Sequence, residues 1–153
     1  MRINLRKRRS TTSADGSAEP KRNKYGNRKV EFQGIIFDSK REMQRWVVLK
    51  DAESKGVISD LQRQVKFELI PSIKEQYIKH LKTKDKVETR TVQLAICYTC
   101  DFQYVKDGVT IVEDVKSSPV MAALDKAFCI KEKLFRWKFG FPIKRVYKPT
   151  DPI

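Results

Sequence analysis

The chain has a single histidine and three cysteines in 153 residues, and its acidic residues are outnumbered 19 to 33 by lysine and arginine. Each shortage excludes something. An odd number of cysteines without framework spacing does not build a disulfide scaffold and fits a reducing compartment. Cys97 and Cys100 stand three apart in an extended segment, so they point to opposite faces. Only Cys129 and His80 remain as partners, which argues against zinc and for small buried thiols. His80 lies in a lysine-rich stretch, where a solvent or phosphate contact is the natural reading rather than a catalytic base. No apolar run reaches the ~20 residues of a membrane span. The basic N-terminus has no apolar segment behind it, so it does not read as a secretory signal. No internal repeat is visible.

What is there in excess is positive charge. The net charge of +14 predicts a polyanionic partner, nucleic acid before an anionic membrane. Residues 1–29 hold ten Lys/Arg against two Asp/Glu, over half of the excess in about a fifth of the length. With TTSADGSAEP between its basic clusters, this stretch has almost nothing to bury and is expected to stay disordered until bound. Two units follow: a basic arm over 1–28 and a folded domain over 29–153. Arg6, Lys7, Arg8, Arg9, Lys21, Arg22 and Lys24 are the arm's candidate DNA contacts, gaining affinity by releasing counterions from phosphates. A solubilising or targeting leader is the plainer alternative, since such clusters arise easily by chance.

In the domain, VEFQGIIF reads as two short extended pieces around Gly34. The segment 39–56 reads as a helix capped by Asp38 or Ser39 and stopped by Gly56, with Met43, Trp46, Val47 and Leu49 as its apolar stripe. QVKFELI, 64–70, alternates as a strand ended by Pro71. Residues 72–90 are polar and lysine-rich, a long flexible connection or an extended strand tip. A strand from Gln93 to Tyr104 follows, placing Tyr98, Cys100, Phe102 and Tyr104 on one face, and Val109 to Lys116 is its partner. Pro119 opens a helix through about Phe139, with Met121, Leu124, Phe128, Leu134 and Phe135 inward. The last strand is 142-PIKRVY-147. Trp137 lies off the helix stripe and is a candidate for a dimer interface.

Asp107-Gly108 is a strong two-residue hairpin signal, because a type I′ turn needs positive φ at both central positions. With that turn, Gln103 faces Val112, Asp101 faces Asp114 and Thr99 faces Lys116. Asp114 and Lys116, two apart, share a face with Asp101. Glu113 falls on the opposite, apolar face, where its burial needs an explanation. Opposed side chains in an antiparallel pair have Cβ atoms ~4.5–5.5 Å apart, and like charges there are destabilising. Two carboxylates so placed want a cation or a shared proton. Mg²⁺, a hard cation, suits two carboxylates, a backbone carbonyl and waters. The alternative is a solvated charged hairpin face, although Asp is depleted in strands. A one-residue slip or a bulge would break this arrangement.

The pattern Asp101 … Asp114-Val115-Lys116, with Cys100 where the name-giving proline would stand, resembles the PD-(D/E)xK nuclease superfamily. The helix–three strands–helix–strand order is similar to that superfamily's core. Residues 24-KYGNRKVEFQGIIFDSKRE-42, 60-DLQRQVKFELIP-71 and 112-VEDVK-116 look like a phage-encoded endonuclease family, similar to Holliday junction resolvases. The likeness covers roughly residues 24–147. It implies an α/β (α+β) restriction-endonuclease-like fold, an αβββαβ core with a mixed central sheet flanked by helices. It further implies a homodimeric, structure-specific endodeoxyribonuclease in the cytoplasm of a bacterial host, acting on four-way DNA junctions. Asp101, Asp114 and the carbonyl of Val115 would ligate Mg²⁺, with Mn²⁺ as a substitute and no small-molecule cofactor. Lys116 would position the water or phosphoryl oxygens, and an acid from the first helix would complete the site.

That acid is Glu42, and the residues alone leave it even between ligand and cap, since Ser39-x-x-Glu42 is also a capping-box pattern. Gln64 could orient a water or phosphate, or be a surface glutamine. Lys79, Lys82 and Lys126 are candidate backbone contacts, and such contacts position DNA without reading it. Two alternatives remain: a related phage nuclease acting on linear or single-stranded ends, and a non-catalytic basic DNA-binding module.

Overall fold

The computed structural model describes residues 29–153, so the arm over 1–28 and its candidate DNA contacts lie outside the described residues. The elements run β1 (Val30–Phe32), β2 (Ile35–Phe37), α1 (Lys40–Ser54), β3 (Ser59–Arg63), β4 (Lys66–Ile70), β5 (Ile73–His80) and β6 (Asp85–Gln93). They continue through β7 (Ile96–Thr99), β8 (Phe102–Lys106), β9 (Val109–Val115), α2 (Pro119–Leu124), α3 (Lys126–Phe139) and β10 (Lys144–Val146). The class is α+β. A four-stranded sheet in the order β10-β9-β8-β3 is mixed, with β10 parallel to β9 and the other pairs antiparallel. No helix among the described residues is long and apolar enough to cross a membrane.

The turn chemistry behaves as its residues require. Asp107 (φ 51°) and Gly108 (φ 75°) both take positive φ, and the β8–β9 register runs from Lys106↔Val109 to Phe102↔Glu113. The extended pieces around Gly34 form an equivalent hairpin, with Gln33 (φ 51°) and Gly34 closing Phe32 onto Ile35. Ser39 caps α1, its hydroxyl accepting from the Glu42 N–H at 3.2 Å.

Several expectations need correction. The strand 93–104 is not continuous: it divides into β7 and β8, with a kink at Cys100–Asp101, and Asp101 falls outside the β8–β9 ladder. Tyr98 and Cys100 therefore face one core, whereas Phe102 and Tyr104 face the other. The helix 119–139 breaks at Asp125, whose carboxylate caps α3 by accepting from the Phe128 N–H at 3.1 Å. A short acid competes for backbone donors and favours a cap over a helix interior. The break leaves Met121 and Leu124 exposed and buries Ala122 in their place. Residues 72–90 are not a flexible connection; they are the extended strand tip of the two readings, forming most of a two-stranded arm, β5–β6. On α1, Val47 is exposed, and Glu42 and Arg45 take up the buried stripe with Trp46 and Leu49.

The kink has a partner across the ladder. β3–β4 breaks at Gln64–Val65, opposite Cys100–Asp101, and the Gln64 N–H donates to the Asp101 carbonyl while the Cys100 N–H donates to the Val65 carbonyl. Gln62↔Gln103 and Lys66↔Thr99 keep the same register on either side of this bend. That register continues, after one-residue shifts, into Lys74↔Thr91 through His80↔Asp85. Strands β3–β4–β5 and β6–β7–β8 are thus the two sides of one long, bent antiparallel ribbon.

Two cores flank the sheet. On one side α1 and the β1–β2 hairpin pack Phe37, Trp46 and Leu49 on Phe102 and Tyr104. On the other, α3 packs Phe128 and Phe135 on Leu69, Tyr98 and Val112. Glu113 lies in the first core, and its burial is explained by Arg45. The two side chains are fully buried and joined bidentately, Nε to Oε2 at 2.9 Å and Nη2 to Oε1 at 2.7 Å. The Tyr104 hydroxyl donates to Glu113 Oε1 at 2.6 Å, and Arg45 Nη1 donates to the carbonyls of Pro149 and Asp151 at 3.0 and 2.5 Å. Burial works against the Arg45 charge, but the Glu113 carboxylate outweighs it and holds the guanidinium pKa above its ordinary value. Removing Glu113 leaves the Arg45 charge buried without its carboxylate, whereas Glu113 also has the Lys144 ammonium at 3.3 Å. Glu113→Ala is expected to cost about 3–5 kcal/mol in urea denaturation. The Arg45→Met/Glu113→Leu double variant should lose less than the two single changes summed.

Candidate functional site

Asp114 is the last-but-one residue of β9 and points to the α3 side, away from Glu113. It is 6% exposed. Its Oδ1 accepts from the Tyr98 hydroxyl at 3.0 Å. Its Oδ2 is buried without a hydrogen-bond donor in bonding geometry, although the Lys116 ammonium approaches it as an ion pair at 2.8 Å. Burial pushes the Asp114 pKa up, and Lys116 and Tyr98 oppose the rise.

Asp101 reaches the same place from the kink rather than from a ladder position opposite Asp114. Its N–H donates to the Glu113 carbonyl at 3.2 Å, and its Oδ2 accepts from the Val115 N–H at 2.7 Å. The side chain thus stands where a backbone carbonyl would otherwise continue the ladder, and Val115 is held beside it. Burial first, and then the fields of Asp114 and Glu42, push the Asp101 pKa up to about 8.

Glu42 comes from the first turn of α1. The Ser39 hydroxyl donates to its Oε1 at 2.9 Å, so it closes the cap through the hydroxyl. Its other oxygen is not used by the cap. Glu42 is 8% exposed, and burial raises its pKa against the Ser39 hydrogen bond, with Asp38 and Asp114 adding to the rise. Cap and site neighbour are therefore compatible roles. Gln64 sits at φ 52°, an uncommon conformation for a non-glycine residue, and its side-chain amide makes a long 3.5 Å contact to Asp101 Oδ1.

Lys116 is enclosed on three sides. Besides Asp114, its Nζ lies 3.9 Å from Asp125 Oδ2 and 3.9 Å from the centroid of the Phe128 ring. Asp114, Lys116, Asp125 and Phe128 line an open groove of about 300 Å³, with Thr99 and Lys131 at its rim. Arg41 of α1 donates to the Ser117 carbonyl and ties the residues after Lys116 to the helix that carries Glu42.

The structure therefore brings Glu42, Asp101, Asp114, Val115 and Lys116 together, with Gln64 at the edge. Lys126, exposed at the start of α3, lies outside this cluster, as do Lys79 and Lys82 on the β5–β6 arm. Tyr98, Asp125, Phe128 and Arg41 were not singled out as site residues in the sequence: the first three reach the site through the kink or the helix break, and Arg41 through a contact 76 positions away. Among the described residues, no three His, Cys, Asp or Glu side chains already stand in ligating arrangement. The fit to a divalent cation rests instead on the buried Asp114 carboxylate, whose Oδ2 meets only the Lys116 ammonium, the neighbouring Asp101 carboxylate and the Val115 peptide between them. All are hard oxygen donors.

Residues 22–147 match the model of a protein family described as "Protein of unknown function (DUF1064)". No curated protein and no solved structure matches the chain.

The acid cluster sets a pH dependence. Asp101 has a folded pKa of about 8 against an unfolded value near ~3.9, so its contribution to stability is fully present below ~4 and is lost as pH rises through 8. In EDTA, thermal unfolding of the wild type should shift down by several degrees between pH 5 and pH 8.5. Asp101→Asn should flatten that shift and melt above wild type at pH 8.5. Mg²⁺ added at pH 8.5 should raise the wild-type midpoint and leave Asp101→Asn unmoved.

Proposed function

This chain belongs to the DUF1064 family, and we propose that it is a Mg²⁺-dependent DNA endonuclease with a restriction-endonuclease-like core. Its proposed substrate is a four-way junction, and its proposed kind is the phage-encoded resolvase that the sequence resembles. The observation that carries this reading is the buried pair Asp114–Lys116 beside Asp101 and Glu42, opening on a groove in a chain of net charge +14. A merely solvated acidic hairpin would leave its carboxylates in water. Here burial has raised the pKa of three of them, a cost a fold retains where the charge is used.

Asp101, Asp114 and the Val115 carbonyl would hold the cation, with Glu42 completing the set. When bound, Mg²⁺ lowers the pKa of a coordinated water and stabilises charge on the scissile phosphate. The protein's own residues do the rest. Lys116, steered by Asp114, Asp125 and the Phe128 ring, presents its ammonium to a phosphoryl oxygen or the attacking water, adding positive charge where negative charge grows. Tyr98 holds Asp114 Oδ1, which leaves Oδ2, now beside the Lys116 ammonium, as the oxygen that would take the cation. Gln64, fixed by the bend, lies within reach of Asp101 and can orient a water or phosphate at the mouth. The basic arm and the exposed lysines supply sequence-independent grip on the DNA backbone.

Two symmetric cuts at a junction call for a two-fold dimer. The outer face of α3 offers a surface for it: Trp137 is 81% exposed and Ile130, two turns earlier, 60%. The host cytoplasm is the proposed compartment.

The test is cleavage of a panel comprising a four-way junction, linear duplex and single strand, in Mg²⁺ and in EDTA. The junction should be cut in Mg²⁺ only, in preference to the others. Asp114→Asn and Lys116→Met should reduce cutting to background while leaving junction binding within about twofold of wild type. Uncut DNA throughout would identify a non-catalytic DNA-binding module. Preferential cutting of linear or single-stranded ends would assign a different nuclease. Full activity in Asp114→Asn would end the site assignment.

A further inference from the structure

The β5–β6 arm is the largest feature that the site does not use. It pairs Lys74↔Thr91 through His80↔Asp85, and neither strand packs closely on any other element. Nearly every residue in it is exposed. An isolated two-stranded hairpin is marginal in water, so an arm kept this free of the core gains its stability against a partner.

Its two faces differ. One carries Glu75, Tyr77, Lys79, Lys86, Glu88 and Arg90, and it is satisfied from within. The Tyr77 hydroxyl donates to Glu88 at 3.0 Å, Lys79 and Lys86 reach the same carboxylate at 3.2 Å, and Arg90 lies 3.6 Å from Glu75. The other face presents Gln76 beside Thr89 and Ile78 beside Val87, amide and hydroxyl groups next to exposed methyls, with Lys74 beside Thr91 at its base and His80 paired to Asp85 at 2.8 Å toward the tip. At the tip, Leu81 N–H donates to the Lys84 carbonyl, and Lys82 and Lys84 have no acidic partner among the described residues. From Ile73 to Gln93 there are six Lys/Arg against three Asp/Glu.

We propose that this arm is a nucleic-acid probe that lies in the major groove of duplex DNA, its Gln/Thr/Ile/Val face toward the base edges and its tip lysines on the phosphates. The proposal rests on the DNA-directed part of the reading above and not on the cleavage chemistry. Size supports it: an eight-residue strand reaches about 26 Å, and a two-stranded ribbon fits the ~12 Å major groove but not the ~6 Å minor groove. Amide and hydroxyl side chains pair with base edges, and methyls meet the thymine methyl. Charge decides between the two occupants. A second copy would bring an equally positive arm against this one, whereas a phosphate backbone is complementary.

The test measures binding of the full chain to a 30-bp duplex in EDTA, where no cutting occurs. Lys82→Gln/Lys84→Gln should weaken binding about tenfold at 150 mM salt and reduce the salt slope by about 2. Lys50→Gln/Lys55→Gln, the same charge change on α1, should shift affinity by less than about twofold. A variant with residues 75–90 replaced by a short Gly-Asn turn should keep its thermal unfolding midpoint and lose at least as much affinity. Methyl green, which occupies the major groove, should reduce wild-type binding to the level of the shortened variant, and netropsin, in the minor groove, should not. Equal losses for the two lysine pairs, competition by netropsin instead, or a shortened arm that turns a dimer into a monomer with unchanged DNA affinity would each overturn the proposal. Arm-dependent binding without cleavage in Mg²⁺ would support the arm assignment and count against the cleavage chemistry alone.

Discussion

Arg45 and Glu113 form the constraint on which the rest of the domain depends. A guanidinium and a carboxylate with no solvent contact are tolerable only when every donor and acceptor is matched. Here they are matched by each other, by Tyr104, by the Lys144 ammonium and by the carbonyls of Pro149 and Asp151. The match fixes the rotation of α1 against β9. Glu42 precedes Arg45 by one turn and Asp114 follows Glu113 by one residue, so the pairing that locks the core also sets the first-helix acid beside the hairpin acid. The ion pair is a jig for the site.

The second constraint is the shared bend at Gln64–Val65 and Cys100–Asp101. A straight ribbon would place Asp101 in a ladder directly opposite Asp114 and expose two carboxylates on one open face. The bend lifts Asp101 out of the ladder, lets its carboxylate cap the Val115 N–H, and turns Tyr98 under Asp114. The unusual φ of Gln64 belongs to this bend, which makes backbone strain and acid placement two sides of one feature.

Local chemistry was legible in the sequence wherever one residue decides it. Asp107-Gly108 dictated the turn and the β8–β9 register, Ser39 the start of α1, and the alternation of apolar residues most of the strands. Glu42, Asp101, Asp114 and Lys116 could be grouped from that register together with a family resemblance. What was illegible depends on contacts between distant segments. The kink at Asp101 arises where the strand parts from β9 while keeping β3–β4 as its neighbour, which no window around residue 101 reveals. Arg45 carries no local sign of its burial, because its partner lies 68 positions away. Asp125 lies inside the single helix read from Pro119 to about Phe139, although its preference for capping was a usable signal for the break. The arm over 73–93 lacks the apolar alternation of a core strand because it has no core to face.

The single register running from Gln62↔Gln103 to His80↔Asp85 has a mechanical consequence. The arm is not appended to the domain; it is the free end of the same ribbon whose other end carries Gln64 and Asp101. Cross-strand hydrogen bonds make that ribbon stiff along its length and compliant at its bends. Its middle rests on α3, where Phe67 packs edge-on against Phe135. Lys82 at the tip and Asp101 at the bend thus belong to one hydrogen-bonded ribbon, and backbone pairing sets the place of one relative to the other.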